Sequence, residues 1–212
     1  MKLYTYWRSS AAYRVRIALA LKAVPHERVS VSLHPGKLEQ LGDAYKAVNP
    51  QMRLPSLEVD GRVIAQSMAI LEWLEERYPD PPLLPTDPWA RAEIRAFAQI
   101  IASDTHPLQN TSVLRYLEDA HGADQTSKRR WAQEWMGRGL AACEALAEGR
   151  TTPFLFGETP SFADICLVPQ LYKARRFDLE LAAMPRLLAV ETACLALPAF
   201  QVAAPDMQPD AS

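Results

Sequence analysis

Cysteine is scarce. The chain has three, Cys143, Cys166 and Cys194, far apart and with no Cys-x-x-Cys pair. That spacing excludes a dithiol redox centre and reads as three buried, reduced core thiols, which points to the cytoplasm. Glycine is also sparse, at 8 residues, and nowhere forms a loop that could wrap a phosphate. No apolar run approaches the roughly 18 residues needed to cross a membrane. There is no basic surplus, the net charge being -2, which argues against a nucleic-acid partner. No spacing of histidines or carboxylates suggests a metal site. The start of the chain shows no charged region followed by an apolar core and cleavage site, so no signal peptide is expected.

What is present is an ordinary globular composition, 49% hydrophobic, with material for one or two domains. The most telling stretch is Tyr4 to Leu19. A short apolar strand runs into Arg8-Ser9-Ser10, and a helix starts at once. The first N–H groups of a helix have no partner inside it, so such a junction attracts anions. Two hydroxyls with an arginine beside them suit a thiolate better than a phosphate.

The pattern continues as a compact α/β unit. Residues 2–7 read as a strand and 10–23 as a helix. Residues 28–33 alternate like a half-buried strand, and 37–47 look like a modest helix. Residues 54–59 and 62–65 read as two strands joined by an Asp60-Gly61 turn, and Ser67 opens another helix. The order β-α-β-α-β-β-α predicts a mixed sheet with helices on both faces. Residues 79–88 are too rich in proline for a helix or central strand and read as a linker. Beyond it the periodicity is helical. A long helical pattern should kink at Pro107, Ser161 to Asp164 has capping-box spacing, and a helix spans 185–196. The tail from Pro205 is expected to fray. The boundaries are therefore 1–80, a linker over 81–88, and an all-helical region over 89–212. The first 80 residues are slightly basic and the rest slightly acidic, a small difference compatible with an anionic small ligand.

The α/β unit resembles the thioredoxin fold, and its union with an all-α C-terminal domain resembles the cytosolic glutathione transferases. The motifs narrow this further. Arg8-Ser9-Ser10 with Arg14 to Leu19, Asn49-Pro50, Leu54-Pro55, Gln66-Ser67, His106 to Asn110, Asp164 to Gln170, and the end from Phe200-Gln201 through Gln208-Pro209-Asp210 all resemble the zeta class, in order and across essentially the whole chain. One position departs: Ala11 stands where the zeta pattern has cysteine.

The resemblance implies glutathione as cofactor and a glutathione-dependent cis–trans isomerisation of an acidic diketone, maleylpyruvate or maleylacetoacetate, in aromatic degradation. A thiolate adds reversibly to the conjugated bond and frees it to rotate. Ala11 tilts the choice slightly toward maleylpyruvate. It further implies that Ser9 holds the thiolate, with Ser10 and the helix start assisting. Gln66 and Ser67 would take the γ-glutamyl carboxylate. A cis bond at Leu54–Pro55 would turn the Leu54 backbone to the cysteinyl group, and Gln40 would reach the glycyl end. Ala11 and Arg14 fall within the same cofactor set, although Arg14 and Arg16 are expected mainly on the helix surface or at a subunit contact. Arg8 and Arg176 would bind substrate carboxylates, and His106, Asn110, Thr111 and Ser112 would line the site from the helical domain. A homodimer is expected from the family. Two other readings remain: a transferase that conjugates or dehalogenates small electrophiles, and a non-catalytic interaction module of the same fold.

Overall fold

A computed structural model describes residues 1–211, and within them the contacts divide the chain into two units. One comprises Met1–Pro82 together with the chain from Leu195 onward; the other is Leu83–Cys194. The tail differs from the sequence boundary here, because it belongs with the α/β unit and not with the helices before it.

In the first unit, β1 (Lys2–Thr5) leads into α1 (Ser10–Leu21), β2 (Glu27–Ser30), α2 (Asp43–Val48), β3 (Ser56–Val59), β4 (Arg62–Ala65) and α3 (Ser67–Arg77). The sheet order is β2-β1-β3-β4, with β2 parallel to β1 and the other pairs antiparallel. The predicted strand 28–33 shifts and shortens because β1 offers only four partners, from Lys2 opposite Glu27 to Thr5 opposite Ser30. Asp60 and Gly61, with φ of 49° and 75°, form the two-residue turn between β3 and β4. The helix expected over 37–47 splits into a 3-10 turn, Glu39–Leu41, and α2, because Gly42 is extended between them.

Helix α1 is buried along almost its whole length, from Ser10 to Leu19. It packs against α3 and against α9 (Pro198–Ala203), which the tail supplies. The tail does not fray. Gln208 donates to the carbonyls of Val202 and Ala204, and Asp210 accepts from the Trp7 N–H and the Ser30 hydroxyl.

Arg14 and Arg16, expected on the surface, are 1% and 2% exposed. A buried guanidinium is tolerable only with its N–H groups satisfied. Arg16 donates to the Thr5 hydroxyl and to the carbonyls of Tyr6, Trp7 and Ala203. It ties α1, the β1 exit and the tail together.

The second unit holds α4 (Pro88–Gln99), α5 (Thr111–His121), α6 (Gln125–Ala147), α7 (Phe162–Arg176) and α8 (Pro185–Leu195). Asp87 caps α4, accepting from Ala90 N–H at 2.7 Å. Helix α7 is its centre, buried without a break from Phe162 to Leu171. Its start carries the predicted capping box. Asp164 accepts from the N–H groups of Leu155 and Ser161 and from the Ser161 hydroxyl, at 2.8–2.9 Å. Burial pushes its carboxyl up, and those hydrogen bonds pull it back. The three cysteines are free and buried, and burial pushes the Cys143 thiol up to about 12, leaving it inert. The long helix expected to kink at Pro107 is in fact broken. It ends at Gln99, a π-helical turn spans Ile100–Thr105, a 3-10 turn spans Pro107–Gln109, and α5 begins afresh.

Candidate functional site

Register assembles the site in the first unit. Tyr4, near the end of β1, pairs with Ser56, the first residue of β3, and Ser56 pairs with Ala65, the last of β4. The β1 exit, the β3 entry and the β4 exit therefore share one end of the sheet. That end carries Arg8-Ser9-Ser10, Leu54-Pro55 and Gln66-Ser67, three segments that are far apart in the chain.

Ser9 is the N-cap of α1. Its Oγ accepts from the Ala12 N–H at 3.2 Å, which leaves the hydroxyl proton available to donate. Ser10 and Ala11 follow, 5% and 8% exposed, so this helix start is largely shielded from water. Arg8 is exposed, its guanidinium 3.9 Å over the Trp7 ring. That stacking fixes the side chain beside the α1 start while leaving its charge outward.

The start of α3 is built differently. Gln66 holds φ of 73°, unusual for a residue with a side chain, and no side chain caps the helix. The first N–H groups of a helix have no partner inside it, so such a start attracts an anion. The Gln66 amide donates to Gln51 Oε1 at 2.6 Å. The Ser67 hydroxyl accepts from Arg14 Nη1 at 3.3 Å, a hydrogen bond that joins α1 to the start of α3. The Leu54–Pro55 bond is cis. Gln40 is 8% exposed, and its buried Oε1 has no hydrogen-bond partner among the described residues. A donor on a ligand, such as a peptide N–H, fits that oxygen. This end of the sheet therefore offers the Ser9 hydroxyl as a donor beside two helix starts.

The other predicted residues lie in the second unit. His106 follows the π turn, its N–H reaching Ile101 O at 2.8 Å. Asn110 caps α5, accepting from the Thr111 N–H, while its amide donors stay available; Ser112 is exposed in the first turn. Arg176 ends α7 and is exposed. One turn before it, Lys173 donates to the carbonyl of Gln109 at 2.9 Å, bringing the last turns of α7 to the 107–109 turn. Arg175 instead forms a paired contact with the Glu191 carboxylate.

Two positioning residues escaped sequence reasoning. Gln51 holds the Gln66 side chain, and Asp210 holds the Trp7 backbone just before Arg8. Only a contact across 203 residues reveals the second.

Comparison with known proteins agrees with this geometry. The glutathione S-transferase N-terminal domain matches residues 8–77, and the C-terminal domain matches residues 125–190. A maleylpyruvate isomerase from Ralstonia sp is 47% identical, with all of both chains covered. A holo structure of a maleylpyruvate isomerase, a bacterial zeta-class glutathione transferase, superposes with a TM-score of 0.97 at 47% identity over all of both chains. A maleylacetoacetate isomerase from Anaeromyxobacter dehalogenans, crystallised with glutathione in its active site, is 49% identical with a TM-score of 0.88. It covers all of this chain and 97% of that one. With both domains matched and relatives aligned from end to end, the chain belongs to the zeta class of the glutathione S-transferases, the family of the maleylpyruvate and maleylacetoacetate isomerases, whose cofactor is glutathione.

Proposed function

We propose that this chain is a glutathione-dependent cis–trans isomerase of a small unsaturated diketone dicarboxylate, maleylpyruvate or maleylacetoacetate. The observation that carries the reading is the convergence of Ser9 and Ser67 at one end of the sheet, with Arg14 bridging to the second. Bound glutathione supplies a thiolate that adds to the conjugated double bond and leaves again once the bond has rotated.

The protein's task is to hold that sulfur ionised. A free thiol titrates near ~8.5, and lowering it by about two units takes roughly 2.7 kcal/mol of preference for the anion. A partly buried helix start supplies up to ~2 kcal/mol. A hydroxyl donor to a charged group adds about 1.5–3 kcal/mol. The shielded α1 start with the Ser9 proton therefore suffices. The cysteine that Ala11 replaces is not required for ionisation. Ser10 assists, Gln66 and Ser67 hold the γ-glutamyl carboxylate, the Leu54 backbone beside Pro55 meets the cysteinyl group, and Gln40 meets the glycyl end. Arg8 and Arg176 each take a substrate carboxylate through paired hydrogen bonds, His106 contacts both substrate and glutathione, and Asn110 and Ser112 contact glutathione. The same reading makes the protein a cytoplasmic homodimer, which sedimentation and fractionation test.

The deciding assay offers both substrates with glutathione. Isomerisation leaves total glutathione unchanged, whereas conjugation consumes it. Stoichiometric loss of glutathione without isomerisation of either substrate overturns the reading. Replacing Arg8 or Arg176 by Ala should raise KM for the dianion far more than for a neutral electrophile, and equal effects on both would remove their carboxylate role.

A further inference from the structure

The His106–Asn110 segment follows a six-residue π-helical turn, Ile100–Thr105, and this turn is packed on α6. Two bonds of the same five-residue reach close its end, one from the backbone and one from a side chain. The His106 N–H donates to Ile101 O, and the Thr105 hydroxyl donates to Ile100 O, both at 2.8 Å. Thr105 is 2% exposed and faces Gly139 of α6. A methyl group at Gly139 would overlap the Thr105 hydroxyl and come within 3.0 Å of its Cβ and Cγ2. No residue but glycine fits there while Thr105 keeps its place. Just beyond, the Trp131 indole of α6 donates to Leu108 O at 2.7 Å, and Lys173 donates to Gln109 O at 2.9 Å. The 107–109 turn is thus gripped by α6 and α7 on its carbonyls, and its entry point is set by how closely Thr105 approaches α6.

We propose that Gly139 and Thr105 form a positioning pair that fixes His106 for the substrate and Asn110 for glutathione. Gly139 admits the Thr105 hydroxyl against α6, the hydroxyl closes the wide turn onto Ile100 O, and the turn sets the direction in which the chain enters His106. Wide helical turns of this kind are rare and concentrate where a functional side chain must be aimed. A misplacement on the order of 1 Å at a reacting geometry costs up to about a hundredfold in rate. The inference rests on the isomerase reading for the role of His106, and concerns residues that touch neither glutathione nor substrate.

The test uses the full-length enzyme and five variants, G139A, T105A, G139A/T105A, T105V and T105S, with H106A as a control on the reading. Gly139→Ala should raise KM for maleylpyruvate about tenfold. Its glutathione affinity, read by calorimetry, should fall by less than KM rises, since of the proposed glutathione contacts only His106, Asn110 and Ser112 lie in the second unit. Adding T105A should return KM to the value of T105A alone. T105V keeps the shape and loses the hydroxyl, so it should fold and still raise KM, whereas T105S restores it. If G139A does not fold, the valine–serine contrast decides the matter. An unchanged KM in G139A and T105V while H106A raises it overturns the pair and leaves the reading standing. If H106A has no effect in an active enzyme, the assignment of His106 fails instead. Should the wild type show no isomerase activity, the amide signals of residues 106–112 still report the positioning. They should move in G139A and return in the double variant, and unmoved signals overturn it.

Discussion

Two helix starts, at α3 and α7, obey the same physics and are finished in opposite ways. At α7 the chain caps the start itself: Ser161 caps Ala163, and Asp164, fully buried, accepts from Leu155, Ser161 and the Ser161 hydroxyl. At α3 the N-cap residue makes no side-chain cap, Gln66 is held at a positive φ, and Ser67 is steadied from the side by Arg14. The closed start stabilises the fold, and the α3 start is the one we propose for the carboxylate of glutathione. The α1 start stands between them, since Ser9 caps it yet keeps a proton to donate. The capping rule alone reads all three as plain caps; what each hydroxyl and N–H still has to offer separates them.

The largest test of that contrast is Asp164→Ala. It leaves the buried N–H groups of Leu155 and Ser161 without partners, at about 1–3 kcal/mol each. The melting temperature should fall by roughly 6–12 °C for a loss of about 3 kcal/mol. The folded fraction should keep its kcat/KM, and a fall in kcat/KM would tie the closed start to function. Ser9→Ala should lower kcat about a hundredfold, the equivalent of ~2.7 kcal/mol at the sulfur, for only about 1 kcal/mol of stability. A matched loss in both would reduce Ser9 to a cap. Ser67→Ala should raise KM for glutathione about tenfold, and because it takes an acceptor from the buried Arg14 it should also cost about 1–3 kcal/mol of stability. A loss of stability with an unchanged KM would make Ser67 structural only.

The smallest effect concerns His26. Burial holds its imidazole below the usual 6.5, and its Nδ1 donates to Val24 O at 3.0 Å. The folded state therefore resists protonation. The stability it contributes is present above pH 6.5 and is lost as pH falls from there through the folded value. His26→Gln should flatten denaturation midpoints over that acid range and leave them unchanged above it.

Much of this was legible in the sequence wherever the signal was local. The strand-to-helix junction at Arg8-Ser9-Ser10, the Asp60-Gly61 turn and the Ser161–Asp164 box each occupy a few adjacent residues and were read correctly. The failures share a different feature. Arg14 and Arg16 look like surface charges, because nothing near them announces that Ser67 and Ala203 will supply buried acceptors. The tail after Pro205 looks frayed, because its anchors, Trp7 and Ser30, lie at the other end of the chain. Around Pro107 the apolar spacing continues, so the pattern suggests one kinked helix. The actual break comes earlier, where Thr105 settles against a glycine 34 residues away.

By itself the sequence determined which elements form and in what order, and through its motifs the family and the residues to suspect. Hydrophobic period, turn residues and caps act over a single turn or strand, so they can be read in one dimension. Only the tertiary structure decided that the three site segments share one end of the sheet, that two arginines are interior ties, that the tail belongs to the α/β unit, and that Gly139 sets the entry to His106. Each depends on a partner distant in the chain, and strand register and side-chain clearance come into existence only when the chain has folded.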